Sequence, residues 1–391
     1  MVECVGTMST ASASCCYEAA TLQQADDQDT CSRSTTAGAS SRTPSSDAVG
    51  DASMARAWLS VVAGEVRAMP WDSGRFAMVG KLQDAPRNFG HVSSMRDKRT
   101  GCLVAVKEMP NSWMCDNHEA FIKRHCHETE QPWVDVACMA FLHSAQYPYS
   151  CGLLGAFQDE SVTRVVSELA SEGDLFSWCA TSAKVAMPGR ERELYVRPLV
   201  AQVFDAVRWL HDLSIVHSDI SMENILVTQE VRTGGLQVKL IDFASATARR
   251  YLRERTIGKP AYQAPEVSTD IEYDGFLADT FATGVVMYCM LLIAYPWSST
   301  GAGGACVSFR YFRKHGFRKF ALKRKLTNGK SAIEVLTPAA TALVEELTAM
   351  DPAMRTTLGE RTWLGECARP SVWGTAWMRY RPSTADAPSA Q

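Results

Sequence analysis

The chain has 391 residues, 46% of them hydrophobic and 9% aromatic, enough apolar matter for a packed core, so wholesale disorder is excluded. Its 40 Lys and Arg against 43 Asp and Glu leave a net charge of −3, which makes no electrostatic case for binding nucleic acid or a polybasic contact with membrane. Thirteen cysteines, an odd number with no C-x-x-C pair, and a polar N-terminus without an apolar secretory core point to free thiols in a reducing, cytoplasmic setting.

Residues 1–70 are rich in Ser, Thr and Ala and poor in aromatic and branched aliphatic side chains. Such a segment buries too little apolar surface to offset its ordering entropy, so a disordered tail is expected there. From Phe76 short apolar runs of strand type follow: 76–80, 102–109, 152–157 and 163–169. Longer segments with helical periodicity come next, at 193–213 and 337–350. Strands first and helices afterwards predict an α+β chain with a β-rich and an α-rich lobe. The longest apolar run, 284–297, is shorter than the roughly 18–20 residues that span a bilayer, and a buried core helix is predicted instead. Residues 381–391 read as a loose tail.

The strongest local feature is His217-Ser218-Asp219-Ile220-Ser221-Met222-Glu223-Asn224, just before the apolar run Ile225-Leu226-Val227. Asp219 could accept a proton from a substrate hydroxyl, and Asn224 could hold a metal ion. Asp242, in Leu-Ile-Asp-Phe-Ala, adds a second oxygen ligand of the kind that suits Mg²⁺. Lys107, closing the run Val104-Ala105-Val106, could reach phosphate oxygens as a point charge.

These residues resemble the signature of the eukaryotic protein kinases, whose V-A-I-K, H-R-D-x-x-x-x-N, D-F-G and A-P-E read here as VAVK (104–107), HSDISMEN (217–224), DFA (242–244) and APE (264–266). Asp279 to Gly284, Tyr295-Pro296-Trp297 and Asp351 to Arg355 resemble further family marks in the same order. The resemblance covers residues 76–365. It implies a bilobal fold: a small antiparallel β-sheet lobe with helix αC, about 76–169, and a larger, mostly α-helical lobe, about 170–365. The implied activity is transfer of the γ-phosphate of Mg-ATP to Ser or Thr of a protein substrate. By the same resemblance Lys107 would hold the α and β phosphates, Asp219 would orient or deprotonate the hydroxyl, and Asn224 and Asp242 would bind Mg²⁺. Val92, Ala105 and Leu226 would sandwich adenine, with ordinary core packing as their alternative role. Glu168 to Ala170 would form the hinge, and the small Ser167 before it implies a roomy back pocket.

Several positions depart from the family. The glycine-rich loop keeps Gly90 alone, with Ala85 and Arg87 where two glycines belong, which implies weaker or differently shaped ATP binding. Arg87 would face solvent or contact phosphate. Asp135 stands where αC carries Glu, so its pair with Lys107 would need αC closer, or a bridging water; Glu130 is five residues out of register. Ser218 replaces the arginine that receives an activation-loop phosphate, so switching by that route is not expected. Ser221 replaces the lysine two residues after the catalytic Asp, while Lys259 replaces the Thr of G-T-P. The lysine and the hydroxyl look exchanged, with Lys259 supplying positive charge near the γ-phosphate and a solvent-facing lysine as the plainer alternative.

Cys115, His118, His125, Cys126 and His127 lie close in sequence but match no standard zinc spacing and read as a surface insertion. Residues 309–330 hold nine Lys or Arg and no acid, a candidate docking site for an acidic partner or, through Lys323-Arg324-Lys325, a weak nuclear import signal. A monomer without nucleic-acid or membrane contacts is expected. Two rivals remain: a pseudokinase serving as nucleotide-binding scaffold, favoured by the degraded loop, Asp135 and Ala244, and a small-molecule phosphotransferase of the aminoglycoside type, disfavoured by GKPAYQAPE.

Overall fold

The computed structural model describes residues 66–181, 187–230, 233–253, 257–301, 306–364 and 368–380, all within a compact unit spanning Ser45–Gln391. Most of the expected N-terminal tail and all of 381–391 lie outside these residues. Val66 to Pro70, expected in that tail, are instead built into the small lobe. Val66 and Ala68 pack on its core, and strand β1 (Met69–Pro70) pairs in parallel with β5 (Leu153–Gln158).

The small lobe is a six-stranded sheet in the order β1-β5-β6-β4-β3-β2, with β2 Phe76–Ala85, β3 Gly90–Asp97, β4 Leu103–Pro110 and β6 Val162–Glu168. Apart from β1 every pairing is antiparallel. Alternation along β4 sends Val104 and Val106 into a core with Phe76, Met95, Phe157 and Val166, and turns Ala105 and Lys107 to the opposite face. A second core gathers Met109, Trp113, Met114, Phe121 and Val165 beneath three helices, α1 (Asn111–Met114), α2 (His118–Arg124) and α3 (Pro132–Ser144). The expected Cys/His surface insertion is split: Cys115 is buried in this core and His125 packs against Trp113 and Phe121, while Cys126 and His127 are exposed.

The large lobe is built on α4 (Leu175–Thr181), α5 (Arg190–Asp212) and α6 (Gly275–Leu292). Val196, Leu199, Val200, Val203, Val207 and Leu210 give α5 one buried stripe at helical spacing. Helix α6 is long and apolar enough to cross a membrane, yet it is 94% buried in the protein, as a helix that is hydrophobic all round must be when it serves as core. It starts nine residues earlier than the expected apolar run and stops at Leu292. The hairpin β7 (Ile225–Gln229) and β8 (Leu236–Leu240) lies beside α5, and β9 (Tyr251–Arg253) pairs with β10 (Glu272–Asp274). Basic helices α7 (Val307–His315) and α8 (Phe317–Lys323), then α9 (Ala332–Val335), α10 (Pro338–Leu347) and α11 (Ala376–Arg379), complete the lobe. The α+β, two-lobed architecture matches the expectation.

Candidate active site

Lys107 and Asp135 form a direct ion pair at 3.2 Å. The shorter acid is accommodated by the approach of α3, without an intervening water: the Gln131 amide donates to the Ala244 carbonyl at 2.9 Å, and the Phe243 amide donates to Asp135 Oδ1 at 2.9 Å. Asp135 therefore ties the sheet lysine to the segment that carries Asp242. Burial opposes the Lys107 charge, but the carboxylates of Asp135 and Asp242 outweigh it and hold the ammonium above its ordinary value.

Asp219 is buried, and both its oxygens are held. Asn224 Nδ2 donates to Oδ2 at 2.9 Å and to the Asp219 carbonyl at 2.8 Å, while the Lys259 amide donates to Oδ1 at 3.0 Å. One bond per oxygen leaves lone pairs for a substrate hydroxyl. The loop backbone is fixed from below by Asp279, which accepts the His217 and Ser218 amides at 2.8 and 3.0 Å. That pinning accommodates the positive φ of Ser218 (68°), a conformation non-glycine residues seldom hold without support.

Asp242 also has a positive φ, 65°. Its Oδ1 is buried and, among the described residues, has no hydrogen-bond partner, an orphan acceptor of the kind that calls for a ligand. The Ile241 amide donates to the Asn224 carbonyl at 3.0 Å, so the two expected metal ligands sit on adjoining backbone. An uncompensated carboxylate oxygen beside an amide-bearing side chain fits a hard cation such as Mg²⁺.

The expected adenine residues are half-exposed apolar side chains: Val92 and Ala105 on neighbouring strands, Leu226 on β7. Among the described residues none of the three belongs to a core cluster. Among the described residues the Ala170 main chain makes no hydrogen bond, and Glu168 ends β6, with Ser167 opposite Ala105. Gly90 is required by packing alone: a Cβ there would sit 1.8 Å from the Glu108 carbonyl oxygen. Between Ala85 and Gly90 the chain makes a 3₁₀ turn, Pro86–Asn88. Arg87 faces solvent, as one of its two expected roles has it, and pairs there with Glu130 at 2.6 Å. That hydrogen bond, more than the nearby Asp219 and Asp242, raises its basicity. Phe89 adds an edge-on contact with Trp113, centroids 5.2 Å apart. Sequence reasoning missed this latch.

Lys259, the last expected site residue, places its Nζ 2.7 Å from Ser221 Oγ and 3.5 Å from Asp219 Oδ2. It is therefore turned into the cleft, not into solvent. Glu266 and Arg355 pair inside the large lobe at 2.6 Å.

The protein kinase domain family matches this chain over residues 88–363, and the chain belongs to it. The chain is similar to the serine/threonine-protein kinase SAPK3 of Oryza sativa subsp. indica, with 31% identity over 217 residues, 55% of this chain and 57% of the relative. It is 28% identical to SAPK9 of Oryza sativa subsp. japonica over 229 residues, 58% of this chain and 56% of that one. To the serine/threonine-protein kinase SRK2I of Arabidopsis thaliana it is 27% identical over 292 residues, 74% and 70% of the two chains. Against SAPK3 and SAPK9 it spans little more than half the relative's length.

Proposed function

We propose that the protein transfers the γ-phosphate of ATP to serine or threonine hydroxyls of protein substrates. The observation that carries this is the chain of contacts from Lys107 through Asp135 to the Phe243 amide, which ties a lysine suited to phosphate to the segment that carries Asp242. The names of its relatives, serine/threonine kinases, support the acceptor class. Asp219 accepts the hydrogen bond of the incoming hydroxyl and orients its oxygen, Lys107 holds phosphate oxygens, and Val92, Ala105 and Leu226 grip the base. Asn224 and Asp242 would hold Mg²⁺, which neutralises phosphate charge. Most of the acceleration in such a site comes from positioning and fixed charge.

The test is transfer from labelled ATP to protein substrates, with phosphoamino-acid analysis, for wild type and Asp219→Asn. Transfer to Ser or Thr that falls at least about 100-fold in the variant supports the reading. Nucleotide binding without transfer by the wild type overturns it in favour of a scaffold.

The same reading includes a monomer working in the cytoplasm, with nuclear entry through 323–325. It also includes an acidic docking segment on the substrate or a partner. Arg310, Arg313, Lys314 and Lys319 are exposed on α7 and α8, while Arg318 is already held by Glu345.

A further inference from the structure

In phosphoryl transfer the acceptor oxygen bonds to phosphorus while the bond to the leaving oxygen breaks, and that electron pair stays on the leaving diphosphate. Negative charge spreads over the transferring group, and a fixed cation beside it stabilises the loose transition state. Such a cation must stand next to the carboxylate that receives the acceptor hydroxyl. In the catalytic loop itself, residues 217–224 hold no Lys or Arg, and Ser221 is fully buried with a neutral hydroxyl.

Charge arrives from another element. Gly258 brings the activation segment against the loop at φ 89°, and a Cβ there would lie 2.7 Å from the Ser218 carbonyl oxygen. Gln263 Nε2 donates to the Ile257 and Gly258 carbonyls at 3.1 and 2.8 Å, which fixes that approach. The next residue is Lys259. Its amide holds Asp219 Oδ1, and its Nζ reaches over to Ser221 Oγ at 2.7 Å, with Asp219 Oδ2 at 3.5 Å. Ser221 Oγ also accepts the Asn224 amide at 3.3 Å, so the hydroxyl is a strut clamped at both ends. The side chain is 26% exposed, open to the cleft while anchored.

We infer that Lys259 is a catalytic residue, the cation that stabilises the transferring phosphoryl group from the activation segment, with Ser221 as the strut that aims it. This rests on the kinase reading above. Lys259 Nζ donates hydrogen bonds to the transferring group; the acceptor's proton goes to Asp219 and on to solvent. A device of this kind makes phosphoryl transfer conditional on the docking of residues 257–263 against the loop, without any arginine at 218.

The test compares wild type, Lys259→Gln and the double variant Ser221→Lys/Lys259→Thr. Glutamine keeps a donor to Ser221 but no charge, and thermal melts verify that each variant is folded. The expected result is a fall in kcat of about 100-fold for Lys259→Gln with KM for ATP little changed, and recovery of at least about tenfold in the double variant. Binding gives an independent readout. Affinity for ADP with Mg²⁺ and acceptor peptide stays constant, while affinity for the ADP–aluminium fluoride complex under the same conditions falls by a similar factor. A Lys259→Gln enzyme within threefold of wild type, or a double variant no better than the single one, overturns the inference and leaves the kinase reading standing. A wild type that transfers nothing overturns the kinase reading first.

Discussion

Asp135 shows how one missing methylene is absorbed. A glutamate reaches further than an aspartate, so the pair with Lys107 closes at 3.2 Å only because α3 lies against the 243–245 turn. The same carboxylate is the acceptor for the Phe243 amide. Removing it strips Lys107 of its partner and orphans a buried N–H, each costing about 1–3 kcal/mol. Asp135→Ala is therefore expected to lower kcat/KM for ATP by about 10- to 100-fold, measured by steady-state kinetics. Asp135→Glu restores the usual acid but must push α3 outward, an overpacking cost of about 1–3 kcal/mol, visible as a lower Tm. Wild-type kcat/KM in Asp135→Ala would show that Lys107 is positioned by something else.

At the scale of the element, the β2–β3 hairpin departs most from its family. A loop that cradles phosphate through glycine amides is replaced by a turn stiffened by Pro86 and tied at two side chains, Arg87 to Glu130 and Phe89 to Trp113. The two ties and Gly90 differ in energetic weight. Arg87 is 64% exposed, so its ion pair contributes under about 1 kcal/mol. Gly90, by contrast, stands where β3 and β4 touch, and any Cβ collides with backbone. Gly90→Ala is expected to part the strands, lowering Tm and weakening ATP binding by more than tenfold. Glu130→Gln should leave Tm within error and speed hydrogen exchange at 85–90. Equal melting of Gly90→Ala and wild type would show that the hairpin has room to yield. The strand runs at 76–80, 102–109, 152–157 and 163–169 were legible because apolar runs are local signals, whereas β3, Gly90–Asp97, with its His, Ser, Arg and Asp, was not. Also legible were Lys107, Asp219, Asn224 and Asp242, which sit in short runs next to strands. The latch was not legible: Arg87 and Glu130 are 43 residues apart, and nothing in either run marks the other.

Across the whole molecule, the catalytic loop is held by charges far from the cleft. Asp279 on α6 accepts the loop amides and also faces His211 on α5, whose Nε2 lies 3.2 Å from its Oδ2. The other ring nitrogen of His211 meets Glu360, 2.8 Å away and from much later in the chain. The ring stacks on Phe276 with centroids 4.2 Å apart and is entirely buried. Burial opposes protonation, but hydrogen bonds from the imidazolium to Asp279 and Glu360 outweigh it and lift its pKa to about 9. Sequence motifs announce Asp279, yet give no sign of Glu360, because a buried carboxylate paired across three segments has no local pattern. With the folded value above the unfolded value of 6.5, the protonated ring adds stability that is fully present below about pH 6.5. That stability fades as pH rises through about 9. Two carboxylates would then face a neutral ring in a dry interior, and breaking such a buried arrangement costs about 3 kcal/mol. Calorimetric Tm should therefore fall by several degrees between pH 6.5 and 9.5 in the wild type. In His211→Gln it should start lower and change less over the same range. A wild-type Tm with the same pH slope as His211→Gln would mean that the ring is neutral in the folded protein, and that α5, α6 and the 360 segment are joined without its charge.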